Sequence, residues 1–267
     1  MSKLMALMSL FVLLSACHAY SQEKMITEHA VYGAYNPPAL ALNSRLYYQI
    51  SSATANSDIW NNSKVELGVR NLLTPTDEWC GIFCNYEPYP FFGISAVAGP
   101  YLIYTTFGYG FYSVAGPDSG FDNTAKTAIK AKDRVGVRAA ITPSLRAKLN
   151  SIIFSYSYVC AYCDMFYSGY YIDPQSGAIT KGCDSTQVQE VYLLNEFGNA
   201  IAGINYFVNK VSSSAYSSRK LSGVYIMKNV FEKDDNSYAM LQLGTHLKDR
   251  YLAGTMFISA ALGVSFK

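Results

Sequence analysis

The sequence predicts an all-β fold: an antiparallel up-and-down transmembrane β-barrel of twelve strands, with ten and fourteen as the alternative counts. Three observations carry this reading. In residues 253–267, Met256, Ile258, Ala260, Leu262, Val264 and Phe266 share one face, while Thr255, Ser259, Ala261, Gly263 and Ser265 share the other. Strands with lipid on one side and water on the other alternate in this way. After residue 19 no stretch approaches the ~18 uninterrupted apolar residues of a membrane helix, so membrane insertion has to use strands. Finally, 23 tyrosines and 14 phenylalanines suit aromatic girdles at two membrane interfaces, although they also suit the faces of a soluble β-protein.

The N-terminus reads as an export signal. Lys3 supplies a positive start, residues 4–14 form an apolar run, and Ser15, Ala16, Cys17, His18 and Ala19 offer small residues for cleavage. Two processing sites compete: a signal of residues 1–19, or a lipobox that ends the signal at residue 16 and leaves a lipid-modified Cys17. Either way, residues 20–267 form a single barrel domain.

In chain order the strand candidates are residues 28–35, 40–52, 64–70, 90–98, 101–114, 134–141, 145–155, 187–194, 200–211, 219–232, 238–247 and the closing strand. In residues 40–52, Leu40, Leu42, Leu46, Tyr48 and Ile50 oppose Asn43, Arg45, Tyr47, Gln49 and Ser51. In residues 64–70, Val65, Leu67 and Val69 oppose Lys64, Glu66, Gly68 and Arg70. A hairpin is expected around Thr142, Pro143 and Ser144, with Val135, Val137, Ala139, Leu145, Ala147 and Leu149 opposing Arg134, Gly136, Arg138, Arg146, Lys148 and Asn150. Charge is thereby confined to one face.

The closing strand resembles that of bacterial outer-membrane β-barrels, which usually ends in an aromatic residue preceded by apolar residues at every second position. Here Lys267 follows Phe266. The resemblance implies an outer-membrane location, with outer-membrane lipid as the surrounding partner and the C-terminus in the periplasm. Counting backwards then makes residues 233–236, 195–199, 142–144 and 99–100 short periplasmic turns. Residues 75–89, 115–133 and 156–186 become longer outer loops, while residues 53–63 make an unexpectedly long periplasmic turn. The helix-prone stretch 125–132 falls in an outer loop, as a solvated turn or an inward plug.

On this reading Cys80, Cys84, Cys160, Cys163 and Cys183 all lie in or beside outer loops, where exported proteins use disulfides as staples. The spacings from Cys80 to Cys84 and from Cys160 to Cys163 resemble zinc ligand pairs only superficially, so neither a metal nor a cofactor is expected. Catalytic residues are not expected either. His246 shares a face with Gln242 and Gly244, but it lacks a serine at two-residue spacing, so a structural hydrogen bond is preferred to an outer-membrane hydrolase. With a net charge of +2 and no long basic run, nucleic acid is an unsuitable partner.

The charged face is the best functional clue. Arg45, Arg70, Arg134, Arg138, Arg146 and Lys148, together with Lys64, stand against one clear acid, Glu66. A basic lining of this kind favours anions. The expected function is therefore a narrow porin-like channel for anionic or small acidic solutes, similar in architecture to twelve-stranded channels for acidic oligosaccharides. The alternatives are a surface-exposed structural or adhesive barrel without transport, and an exported soluble β-protein.

Overall fold

The computed structural model describes residues 21–52, 63–106, 110–119, 131–214, 216–231 and 237–266. Residues 1–20, where the export signal and Cys17 are expected, most of the 53–63 and 125–132 stretches, and the expected turn 233–236 lie outside them. The strands are β1 (Ser21–Tyr35), β2 (Ala39–Ser52), β3 (Lys64–Leu73), β4 (Asp77–Tyr89), β5 (Phe92–Ile103), β6 (Tyr112–Val114), β7 (Arg134–Leu149) and β8 (Ile152–Asp164). They continue with β9 (Tyr170–Ile172), β10 (Ile179–Lys181), β11 (Cys183–Phe197), β12 (Ala200–Val211), β13 (Ser217–Lys228), β14 (Tyr238–Lys248) and β15 (Met256–Phe266). Twelve of these close an antiparallel up-and-down barrel, in which β1 pairs with both β2 and β15. The remaining three, β6, β9 and β10, make a small separate sheet.

The registers sort every wall residue by face, because partners across an antiparallel ladder point the same way. Pairing Glu28 with Arg45, Arg45 with Arg70, and Gln49 with Glu66 puts the polar set of β1 to β3 inside. Outside stand Val31, Leu46, Leu67, Val69, Ile82, Ile141, Phe154, Ile204, Leu243 and Ile258, all exposed. Apolar outside and polar inside is the distribution required of a wall immersed in hydrocarbon, where the closed ladder also leaves no strand edge unpaired. The closing strand follows the sequence reading, with Met256, Ile258, Leu262 and Phe266 facing outward against β1 and β14.

Several boundaries differ from the sequence reading: the predicted outer loop 156–186 is strand up to Asp164 and again from Cys183, and three further cases have a clear physical reason. First, residues 75–89 are mostly strand β4 rather than an outer loop. Its inward face, Trp79, Gly81, Phe83 and Asn85, mixes aromatic and polar residues, and its outward face carries two cysteines, so neither face is uniform. Second, Gly99 and Pro100 lie within β5, and third, Thr142, Pro143 and Ser144 lie within β7. Each proline lacks a donor, and each interrupts the ladder on one side only. Pro100 is paired with Val137 of β7, but the rungs toward β4 skip it. Pro143 is paired with Ile94 of β5, but the rungs toward β8 skip it. A strand absorbs a proline at that local cost. Gly99 is also needed where it stands, because a Cβ there would lie 2.0 Å from the Cys80 carbonyl oxygen. The true turn between β7 and β8 is at Asn150, whose φ of 54° is left-handed. The total of twelve survives because the missed β4 offsets the splitting of β5.

At the end away from the strand termini Ser21 and Phe266, the long connection between β8 and β11 folds inward rather than outward. Tyr171 of β9 is 1% exposed and stacks on Phe111, with ring centroids 4.8 Å apart. Both belong to the main buried cluster, which includes Trp79, Tyr101, Ile103, Ala140, Ala161 and Met165 from the barrel wall and its rim. The small sheet is thus a plug seated in one mouth of the barrel. Gly182 makes the return possible, since a Cβ there would meet the Tyr167 carbonyl at 1.8 Å.

Candidate functional site: the barrel interior

An arginine ladder climbs the wall from β2 to β7. Arg45 lies over the rings of Tyr47 and Phe83 at 4.8 and 4.6 Å, and Arg70 lies over Trp79 at 5.6 Å. Arg138 lies over Trp79 and Tyr101 at 5.1 and 5.3 Å. Trp79 therefore carries two guanidinium groups. Ring faces attract cations and hold them in place while leaving their hydrogen bonds available.

The interior is much less one-sided in charge than the sequence suggests, and the expectation of one acid is corrected. Besides Glu66, the registers turn Glu28, Asp77, Glu87, Asp184, Glu190 and Glu196 inward. Arg45 donates to Glu28 at 3.0 Å and to Glu66 at 2.9 Å, and Glu66 also accepts from Lys64 and from Asn85. Tyr47 donates to Glu28 at 2.6 Å. At the terminus end, Arg146 reaches Glu87 at 3.5 Å, while Lys148 and Lys228 both bind Glu196.

Of the six predicted lining residues, Arg45, Arg146 and Lys148 are ion-paired, whereas Arg70, Arg134 and Arg138 have no ion pair among the described residues. Arg70 Nε donates to Asn43 Oδ1 at 3.0 Å. Arg134 serves the plug instead, donating to the carbonyls of Met165 and Phe166 and lying over Phe111 and Tyr167.

The plug is latched by polar groups that sequence reading missed. Tyr101, fully buried, donates to Asp173 at 2.8 Å. Gln175 donates to Asp77 at 2.8 Å and accepts from Arg138. Ser176 closes onto Asp173 at 2.7 Å. Asp184 binds Thr180 at 2.7 Å and also Ser213, tying the return strand to the next loop. The bonds of Tyr101 to Asp173, Gln175 to Asp77 and Arg138 to Gln175 join segments far apart in the chain, so no local pattern announces them. Lys220 was missed for a different reason: the sequence reading assigns residues 219–232 to a strand without assigning its faces. It points inward from β13, opposite Phe207, and lies over Phe207 and Phe257 at 5.5 Å each.

His246 is fully buried, faces Lys220 across the ladder, and places Nε2 3.1 Å from the Asn36 carbonyl. The contact lies at the barrel rim, where β14 ends beside the β1–β2 turn. The five cysteines are unpaired thiols and lie in strands rather than loops. Cys80, Cys84, Cys160 and Cys183 face outward, while Cys163 faces inward, 3.7 Å from the Tyr171 hydroxyl.

No family model matches this chain, and no curated protein matches it. Solved structures of similar architecture include the NanC porin, at 11% identity and a TM-score of 0.40, with 91% of this chain and 100% of that one covered. The β domain of the Bordetella autotransporter Brka matches at 12% identity and a TM-score of 0.43, covering 92% and 100%. A loop L8 deletion mutant of OmpT, an outer membrane protein of Vibrio cholerae, matches at 8% and 0.39, covering 92% and 100%. These likenesses concern the barrel architecture alone.

Proposed function

We propose that the chain is a bacterial outer-membrane barrel that conducts small anionic solutes through a narrow interior constricted by its own β9–β10 segment. The apolar outer wall supports the membrane location. The observation that carries the solute class is Arg70, held on Trp79 between two other arginines and unpaired with any described carboxylate. A fixed cation in a confined, low-dielectric passage attracts anions over a long range, whereas Arg45, already neutralised, contributes little net field.

Reversal potentials across a planar bilayer under a salt gradient test this. Wild type is expected on the anion side, with Arg70→Gln moving toward no preference. Cation selectivity in the wild type refutes the reading.

A second reading is favoured by the latch itself. With Tyr101 and Asp173 both buried, the barrel mouth is filled. A non-conducting structural or adhesive barrel predicts silence in the same recordings.

A further inference from the structure

On the outer face, at the loop end of β12 to β14, three cations stand together. Arg219 and Lys248 are direct partners across the β13–β14 ladder, at a register shift. Arg219 is also opposite Val208 of β12, two residues from Lys210, and Lys210 is opposite Gln187 of β11. All three cations are exposed. Like charges directly opposite one another destabilise a sheet, and a diagonal neighbour adds to the repulsion. Among the described residues, none of the three has an anionic partner. The nearest acid in sequence, Asp249, is occupied by the Tyr216 hydroxyl at 2.7 Å and by the Tyr251 and Leu252 amides.

The surroundings indicate what compensates this charge. Directly below on the outer wall lie Leu221, Leu243, Tyr225 and Met227, all exposed. The run from Leu221 to Met227 gives roughly 20 Å of apolar surface along β13, close to the band a bilayer core requires. The cations therefore sit where hydrocarbon gives way to headgroups. Lys210 also borders a recess of about 220 Å³, lined by Gln187, Ser212, Tyr216 and Ser217, which offers hydroxyl and amide partners. The rest of this rim carries no comparable cluster among the described outward residues: Glu78 accepts from Asn71, and Asp164 caps the Phe166 amide.

We infer that Lys210, Arg219 and Lys248 form a docking site for the phosphate-bearing headgroup of an anionic lipid, whose acyl chains lie along Leu221 and Leu243. The assignment rests on the membrane reading and on charge complementarity at headgroup height, and it is independent of whether the lumen conducts. Phosphate oxygens accept from both guanidinium and ammonium donors, so one headgroup relieves the repulsion between Arg219 and Lys248.

The test places the full barrel in phosphatidylcholine nanodiscs with and without phosphatidylglycerol and counts retained lipids by native mass spectrometry after transfer to detergent. Wild type is expected to retain phosphatidylglycerol several-fold over phosphatidylcholine. The triple variant Lys210→Gln, Arg219→Gln, Lys248→Gln should lose that preference while keeping heat-modifiable migration, and a variant with Lys210→Arg and Lys248→Arg should retain it. Inorganic phosphate should leave the lipid bound; displacement by it would overturn the lipid assignment. Equal retention by wild type and the triple variant refutes the site. A barrel that enters neither bilayer refutes the membrane reading instead.

Discussion

Arg45 and Arg70 face each other directly across the β2–β3 ladder, yet Arg45 is bound by two carboxylates and Arg70 by none among the described residues. Glu66 sits at the centre of this asymmetry, with its side chain only 5% exposed. In Glu66→Gln, Arg45 and Lys64 lose a shared counter-charge inside the wall. Breaking a buried pair from one side costs about 3–5 kcal/mol, so the variant is expected to unfold at lower temperature. Heat-modifiable gel migration followed against temperature measures this, and an unchanged transition would mean that the Arg45 network contributes nothing.

Arg70 and Arg146 separate a lumen charge from a rim charge. Arg146 is 58% exposed and reaches Glu87 at 3.5 Å, a geometry in which an ion pair is worth about 0–1 kcal/mol and is screened by salt. Arg70→Gln should therefore shift the reversal potential well beyond Arg146→Gln. Equal shifts would show that selectivity is set at the mouth and not on the ladder.

The Tyr101–Asp173 bond spans the wall and the plug. Asp173→Asn keeps the size of the side chain but removes the charge that Tyr101 and Ser176 bind. Hydrogen bonds to charged groups are worth about 1.5–3 kcal/mol, enough to raise the population of an undocked plug more than tenfold. Larger or more frequent conductance steps in Asp173→Asn are expected in bilayer recordings, and steps identical to wild type would show that the plug does not obstruct the path.

How much of this was legible in the sequence depended on whether a residue's role is set by alternation or by insertion. Strands with a uniform apolar face, such as β2 and β15, could be read directly, and so could the inward direction of Arg45, Arg70, Arg138, Arg146 and Lys148. Strand β4 was hidden because Cys80 and Cys84 suggested loop staples and because its inward face alternates Trp79 and Phe83 with Gly81 and Asn85. Pro100 and Pro143 misled by marking turns, although a barrel strand tolerates a proline when the rung is lost toward one neighbour only. The acids that neutralise the ladder were underestimated because the faces of β1, β4 and β11 were unassigned. Asp173 and Gln175 had no signal at all: their partners, Tyr101 and Asp77, lie 72 and 98 residues away in the chain.

Gly182 gives a test of the plug that does not depend on conduction. A Cβ at this position meets the Tyr167 carbonyl at 1.8 Å, and the backbone of Gly182 both donates to Gly169 and accepts from Met165. Gly182→Ala must push the two chain segments apart and loosen residues 165–182 while leaving the twelve-stranded wall intact. Limited proteolysis of the folded protein should cleave the variant within this segment at a protease concentration that spares wild type. Equal resistance, with heat-modifiable migration preserved in both, would show that the segment accommodates the methyl group.

The cysteines yield the last expectation. Cys80 and Cys84 share the outer face of β4, which places their Cα atoms about 13 Å apart, beyond the ~7 Å that a disulfide spans. Cys160 and Cys163 point to opposite sides of the wall. Cys183 is opposite Asp164, while Cys160 is opposite Gln187, four residues further along β11. Cys163 and Cys183 are neighbours in the ladder but on different faces. The barrel is therefore expected to hold Cys80, Cys84, Cys160, Cys163 and Cys183 as thiols, with the same gel migration with and without reductant and all five alkylated once unfolded. In the folded state Cys163, inside the wall against Tyr171 and beneath the plug, should react more slowly than outward Cys183 and should become faster in Gly182→Ala. Mass spectrometry of alkylated peptides reads both results, and a bridge between any two of these residues would mean that the wall is arranged differently around β8 and β11.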